Sequence, residues 1–128
     1  MADPLLFDTD VLIDYLRGQL DAVAYLEGLT DPLLMSVVTV AELYTGVREG
    51  EERETLETFI TVFELVPIDE EIARQSGLFR RDYRKSHNVG LADALIAATA
   101  ERKKAILVTL NQKHYPMVSR ITVPYRKA

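Results

Sequence analysis

The chain contains no cysteine and no tryptophan. Without thiols it has neither a disulfide framework nor a thiolate metal site, so any metal it binds is held by oxygen or imidazole ligands. Hard ions, Mg2+ or Mn2+, are therefore the first candidates. Long apolar runs are missing too: no window approaches the roughly 18 consecutive apolar residues that a membrane-spanning helix needs, and no membrane is expected among its partners. The opening MADPLLFD carries two acids and a proline where a secretory signal places positive charge, so export is not expected and the cytoplasm is. An excess of positive charge is absent as well. Fifteen Lys and Arg stand against 20 Asp and Glu, a net charge of -5, which excludes a nucleic-acid binder that relies on a blanket basic surface. Basic residues do gather locally, in Arg80, Arg81, Arg84 and Lys85, in Arg102, Lys103 and Lys104, and in Arg120, Arg126 and Lys127.

What is present fits one domain over residues 1–128. With 48% hydrophobic residues the chain can close one core but not two. There is no internal repeat and no low-complexity segment, and disorder is expected only in the last few residues. Leu5, Leu6 and Phe7 form a short apolar strand that stops at Asp8. Asp10 then precedes Val11, Leu12, Ile13, Tyr15 and Leu16, a helix that Asp10 can cap. A second helix runs from Asp21 to Leu29 and stops at Asp31 and Pro32. A second strand is predicted from Leu33 to about Val38, after which Thr39 caps a helix into Tyr44, with Gly46 and Gly50 marking a break. Leu56, Phe59, Ile60 and Phe63 recur at helical spacing. Leu65, Val66 and Ile68, interrupted by Pro67, make at most an edge strand. Ile72, Ser76, Phe79 and Tyr83 line one side of a further helix whose other side carries Arg80, Arg81 and Arg84, and a loop from Ser86 to Gly90 ends it. Leu91 to Ala100 is apolar and alanine-rich, a helix expected to be buried. Ile106–Val108 and Ile121–Val123 are the last strands.

Strands alternating with helices predict an α/β fold, a three-layer α/β/α sandwich with a mostly parallel sheet of about four or five strands. In such sheets ligands bind beyond the carboxyl ends of the strands, where strand order reverses. That rule nominates Asp8 and the residues after Val108.

The most informative feature is a set of acids among apolar neighbours. Asp8 closes a strand, Glu42 interrupts Val37, Val38, Val40, Ala41 and Leu43, and Asp93 is the only charged residue between Gly90 and Ala100. An ionised carboxylate without a partner is costly to bury, and real groups pair, protonate or bind a metal. Each acid also has a plain reading. Asp10 can simply cap a helix, Asp93 can sit in the favourable first turn of one, and Glu42 can belong to a polar stripe. Asp14 is expected to be solvated or to support its neighbours. His114 reads equally as a loop histidine beside Tyr115 and Pro116, and His87 as incidental. Tyr15, Tyr25, Tyr44, Phe59 and Phe63 are expected in the core, although aromatics can also stack on bases or bind a partner.

Taken together, FDTDVLIDYL, SVVTVAELYTG and GLADALIAATA, followed by LVTLNQKHYPM, resemble the PIN-domain family over nearly the whole chain, in particular the toxin half of VapBC toxin-antitoxin pairs. The resemblance places the family's metal-site acids on Asp8, Glu42 and Asp93. A fourth acid of that family falls on His114, a poorer ligand for Mg2+ than a carboxylate, with Asn111 nearby. Asp10 stands where similar sequences often have asparagine, in a position to orient Asp8 or a water. The resemblance implies a Mg2+- or Mn2+-dependent endoribonuclease that hydrolyses RNA with a metal-activated water. In that reading Thr109 or Asn111 positions the ion's water shell or the phosphate. It also implies a homodimer and a VapB-like antitoxin, whose helix an apolar groove near Tyr15, Tyr25 and Tyr44 can seat, and DNA contacted only through that antitoxin. Two alternatives stay open. One is a PIN-like RNA- or protein-binding module inactivated at His114. The other is a haloacid-dehalogenase-like phosphatase using the Asp8, Asp10 pair, against which Leu12 stands where that chemistry wants a hydroxyl.

Overall fold

The computed structural model describes residues 3–126, so the expectation about the final residues, and Lys127 of the last basic cluster, fall outside the described part. Five parallel strands form the sheet in the order β3-β2-β1-β4-β5. They are β1 (Leu5–Phe7), β2 (Leu33–Ser36), β3 (Glu64–Val66), β4 (Ile106–Val108) and β5 (Ile121–Thr122). The described residues also form six α-helices, α1 (Thr9–Leu16), α2 (Leu20–Glu27), α3 (Val37–Thr45), α4 (Glu51–Ile60), α5 (Glu70–His87) and α6 (Leu91–Lys103), and a short 3-10 helix over Gln112–His114.

Alternation along each strand divides the core. Leu5, Phe7, Met35 and Val108 point to one face and pack with Val11 and Leu12 of α1, Leu26 of α2, Leu43 of α3 and Leu56 of α4. Leu6, Leu34, Val66 and Leu107 point to the other and meet Ile72 of α5 and Ile96 and Ala97 of α6. Two covered faces explain why the strands read as unbroken apolar runs rather than alternating ones. The three-layer, parallel α/β expectation therefore holds, with five strands. Order reverses at β1, which pairs β2 on one side and β4 on the other, with Leu5 opposite Leu33 and Ile106.

The structure differs from the sequence reading at several ends. β2 stops at Ser36, whose hydroxyl accepts from the Val38 amide at 3.1 Å and caps α3. Thr39 is therefore buried inside that helix and does not cap it. Asp8, not Asp10, caps α1: its carboxylate accepts from the Thr9 amide at 2.8 Å. α4 ends at Ile60, so Phe63 enters the core from the following turn, packing edge-on to Phe7 and Phe59. Gly50, at φ 94°, supplies the left-handed turn before α4. β3 is an edge strand as Pro67 requires, and β5 ends at Thr122 with Val123 exposed. α6 is buried over Ala94 and Ile96–Ala100, but Leu91 at its start is exposed. Arg80 also departs from expectation: it is half-buried, and its Nε has no hydrogen-bond partner among the described residues.

Candidate active site

The carboxyl ends of β1 and β4, at the reversal of strand order, open into a cleft of about 520 Å³ whose lining includes Asp8, Asp10, Glu42, Asp93, Asn111 and His114. No lysine or arginine lines it. Each acid arrives by a different route. Asp8 follows β1 directly and its amide donates to the Val108 carbonyl at 2.9 Å, which ties the two strand ends together. Glu42 projects from α3, and Asp93 from the first turn of α6.

The burial expected of all three acids is found only at Asp8, which is 6% exposed. Asp93 is half-buried and Glu42 is exposed. The apolar neighbours of Glu42 occupy the other faces of α3, where Thr39 and Leu43, one turn apart, are the buried pair. Asp10 is exposed at the rim.

Hydroxyl groups hold these carboxylates. Thr109 Oγ1, fully buried, donates to Asp8 Oδ2 at 2.8 Å and accepts from the Asn111 amide at 3.0 Å. The Thr109 hydrogen is therefore committed to Asp8. The Asn111 side-chain amide donates to Asp10 Oδ2 at 3.0 Å. Thr9 Oγ1 lies 2.6 Å from Glu42 Oε1 and 3.1 Å from Thr39 Oγ1. Its single hydrogen goes to the carboxylate, which leaves Thr39 as donor in the hydroxyl pair. Tyr115, 1% exposed, donates its phenol hydrogen to Asp93 Oδ1 at 3.2 Å, and His114 Nδ1 stands 3.5 Å from Asp93 Oδ2. Asp14, expected to be solvated or to support its neighbours, is buried and accepts from the Tyr125 hydroxyl at 2.8 Å.

The electrostatics follow. Burial pushes the Asp8 carboxyl up from its ordinary 3.8 to about 6; the Thr109 hydrogen bond opposes the rise, and the charges of Asp10 and Asp93 add to it. Burial, then the charges of Asp8 and Asp93, drives the Tyr115 phenol far above its usual range, so it stays a hydrogen-bond donor. An acid-rich cleft with hard oxygen donors and, among its described lining residues, no lysine or arginine is chemically suited to a divalent cation. Among the described residues, however, no three His, Asp or Glu side chains draw close enough to hold one ion as they stand.

Sequence reasoning missed Thr9, Thr39 and Tyr115. Thr39 was hidden in a β-branched run that reads as strand or cap, and Thr9 by the two acids flanking it. Tyr115 carried a signal of its own, since a buried tyrosine needs a partner for its hydroxyl.

Comparisons with known proteins agree with this architecture. A profile of the PIN domain matches residues 5–117. Ribonuclease VapC10 of Mycobacterium tuberculosis is 44% identical over 124 residues, covering 94% of this chain and 92% of that protein. Ribonuclease VapC19 of the same organism is 38% identical, covering 94% and 98%. Among solved structures, a toxin-antitoxin complex from Klebsiella pneumoniae superposes with a TM-score of 0.84 at 28% identity, covering 96% of this chain and 99% of that one. The chain belongs to the PIN-domain family, in its VapC branch.

Proposed function

We propose that the protein is the toxin of a type II toxin-antitoxin pair, an endoribonuclease whose Asp8, Glu42 and Asp93 hold Mg2+ or Mn2+. The observation that carries this reading is that three acids far apart in sequence line one cleft among whose described lining residues there is no lysine or arginine. A divalent cation drawn between them would relieve their mutual repulsion, with the side chains closing in from their present positions. An ion there supplies positive charge against the phosphoryl oxygens and acidifies a water for attack.

The chain's own residues set the stage for that chemistry. Thr109 fixes the rotamer of Asp8 and favours its ionised form. Tyr115 holds Asp93, and Thr9 with Thr39 holds Glu42. Asn111, through Asp10, braces the rim on which a phosphate would rest. With its hydrogen given to Asp8, Thr109 acts on the carboxylate and not on the phosphate. Carboxylates held this way lose little side-chain freedom when they bind, which is what preorganisation requires.

For the partner, a groove of about 640 Å³ carries an apolar strip of Ile13, Leu16, Leu43, Val47 and Leu56 flanked by the charged Arg17, Glu42, Arg48, Glu51 and Glu52; Tyr15, Tyr25 and Tyr44, expected to line such a groove, are not among its lining residues. A groove of that character suits the apolar face of a helix. It supports a VapB-like antitoxin that lies along α1 and α3 and covers the cleft. The VapBC complex of Salmonella typhimurium, 25% identical to this chain, is DNA-bound, which supports DNA contact through the antitoxin. A homodimer is part of the same proposal. No described helix is long and apolar enough to cross a membrane, consistent with a cytoplasmic toxin.

The test is cleavage of fluorescent single-stranded RNA with MgCl2 or MnCl2 by the parent, Asp8→Asn and Asp93→Asn. Metal-dependent cleavage by the parent alone is the expected result, whereas equal cleavage by all three would assign the activity to a contaminant. His114 beside Asp93 favours one second reading, an RNA- or protein-binding module without catalysis. That reading gains if the parent binds RNA but leaves it intact with either ion.

A further inference from the structure

Asn111 is a ridge between two depressions of opposite character. On one side lies the acidic cleft. On the other, beyond the ends of β4 and β5, a second groove of about 490 Å³ is lined by Asp10, Asn111, Gln112, Lys113, Tyr125 and Arg126, among others. The two grooves share Asp10 and Asn111, so they are continuous over the ridge.

Charge reverses across it. Lys113 and Arg126 are exposed, and neither makes a hydrogen bond or ion pair among the described residues. Elsewhere Arg48, Arg53, Arg74, Arg81, Arg102 and Arg120 pair with neighbouring acids, and the remaining lysines and arginines among the described residues, Lys113 and Arg126 apart, line neither of these two grooves. Tyr125 adds a half-buried ring to the same groove, packed against the core, and its hydroxyl is anchored to Asp14 at 2.8 Å. Two unpaired cations, a fixed aromatic face and an amide are the ingredients of a single-strand nucleic-acid groove, where cations follow the phosphates and a ring stacks on a base.

We infer that this second groove is the subsite for the ribonucleotides flanking the scissile phosphate, with Lys113 and Arg126 taking backbone phosphates and Tyr125 a base. The assignment rests on the ribonuclease reading above and adds the path of the strand: over Asn111, from the acidic cleft toward the C-terminal segment. It also explains how a chain of net charge -5 attracts a polyanion. Four acids, Asp8, Asp10, Glu42 and Asp93, line the cleft proposed to take the ion, and the free Lys113 and Arg126 stand on the far side of the ridge.

The experiment measures fluorescence anisotropy of a short fluorescein-labelled oligouridylate with the Asp8→Asn protein, which leaves the probe intact, as a function of salt. Adding Lys113→Ala and Arg126→Ala is expected to weaken binding on the order of tenfold. It should also flatten the slope of log affinity against log salt by about 1.4, at roughly 0.7 per phosphate contact on a single strand. A charge-matched control, Arg102→Ala with Lys103→Ala at the opposite end of α6, should leave both quantities unchanged. Equal loss from the control and test pairs, an unchanged slope, or no RNA binding by the Asp8→Asn protein overturns the subsite. Competition by a polyglutamate peptide as strong as by RNA reassigns the groove to an acidic protein segment. Parent cleavage of RNA is scored separately. Cleavage with an unaffected double variant removes the subsite and leaves the ribonuclease, while weakened binding without any parent cleavage does the reverse.

Discussion

Thr109 Oγ1 lies 2.8 Å from Asp8 Oδ2 although 101 residues separate them in sequence. Both are buried, and each stands immediately after a central strand, β1 or β4. This contact decides the charge state of the cleft. It is the strongest influence opposing the burial that lifts the Asp8 carboxyl to about 6.

Replacing Thr109 with valine should move the acid limb of the pH profile upward. A hydrogen bond to a charged group contributes roughly 1.5 kcal/mol, about one pH unit at about 1.4 kcal/mol per unit. Log kcat/KM should thus begin to fall near pH 7 in the variant and near pH 6 in the parent. An unmoved acid limb would detach Asp8 from the rate.

Asp8→Asn should abolish cleavage and stabilise the ion-free protein. The Asp8 pKa is raised on folding, so the folded state takes up a proton between about 4 and 6 that the unfolded chain does not. Stability of the parent therefore drops as pH rises through that window and stays lower above it. A rise from 3.8 to about 6 corresponds to about 3 kcal/mol. Asparagine removes that cost but retains only one acceptor for Thr9 and Thr109. A net gain of about 1–2 kcal/mol is expected at pH 8, fading below pH 4. Urea unfolding in EDTA at both pH values checks it.

Tyr115→Phe should loosen Asp93 without opening the core, since the ring is kept. Mn2+ affinity, followed by isothermal titration without RNA, is expected to fall about tenfold, the usual penalty for losing a group that orients a metal ligand. An unchanged affinity would leave Tyr115 a packing residue only.

His114→Asp should bring a fourth carboxylate against Asp93. With Mn2+ present the midpoint of thermal unfolding should rise relative to the parent. In EDTA it should fall by a few degrees, because a like charge replaces a neutral or cationic ring beside Asp93. A midpoint insensitive to the ion would remove His114 from the cleft's chemistry.

Much of this arrangement was legible from the chain. Leu5-Leu6-Phe7 and Ile106-Leu107-Val108 announced strands covered on both faces, and Asp8 stood out because a strand of that kind ends on a charge. What escaped was decided by tertiary contacts. Val37-Val38-Thr39-Val40 has the β-branched content of a strand, yet Ser36 caps it into a helix and Thr39 meets Thr9. Asp10 was read as the cap of α1, but the pairing of β1 with β4 turns Asp8 inward at the end of its strand and gives it that place. Glu42 looked buried because linear neighbours on a helix face different ways.

The order of the strands carries a consequence for synthesis. Because β1 pairs with β4, a growing chain must extend past Tyr115 before Asp8 can meet Thr109 and Tyr115. A nascent chain that stops short of β4 has no assembled centre, so the chemistry of the cleft is withheld until this long-range pairing forms.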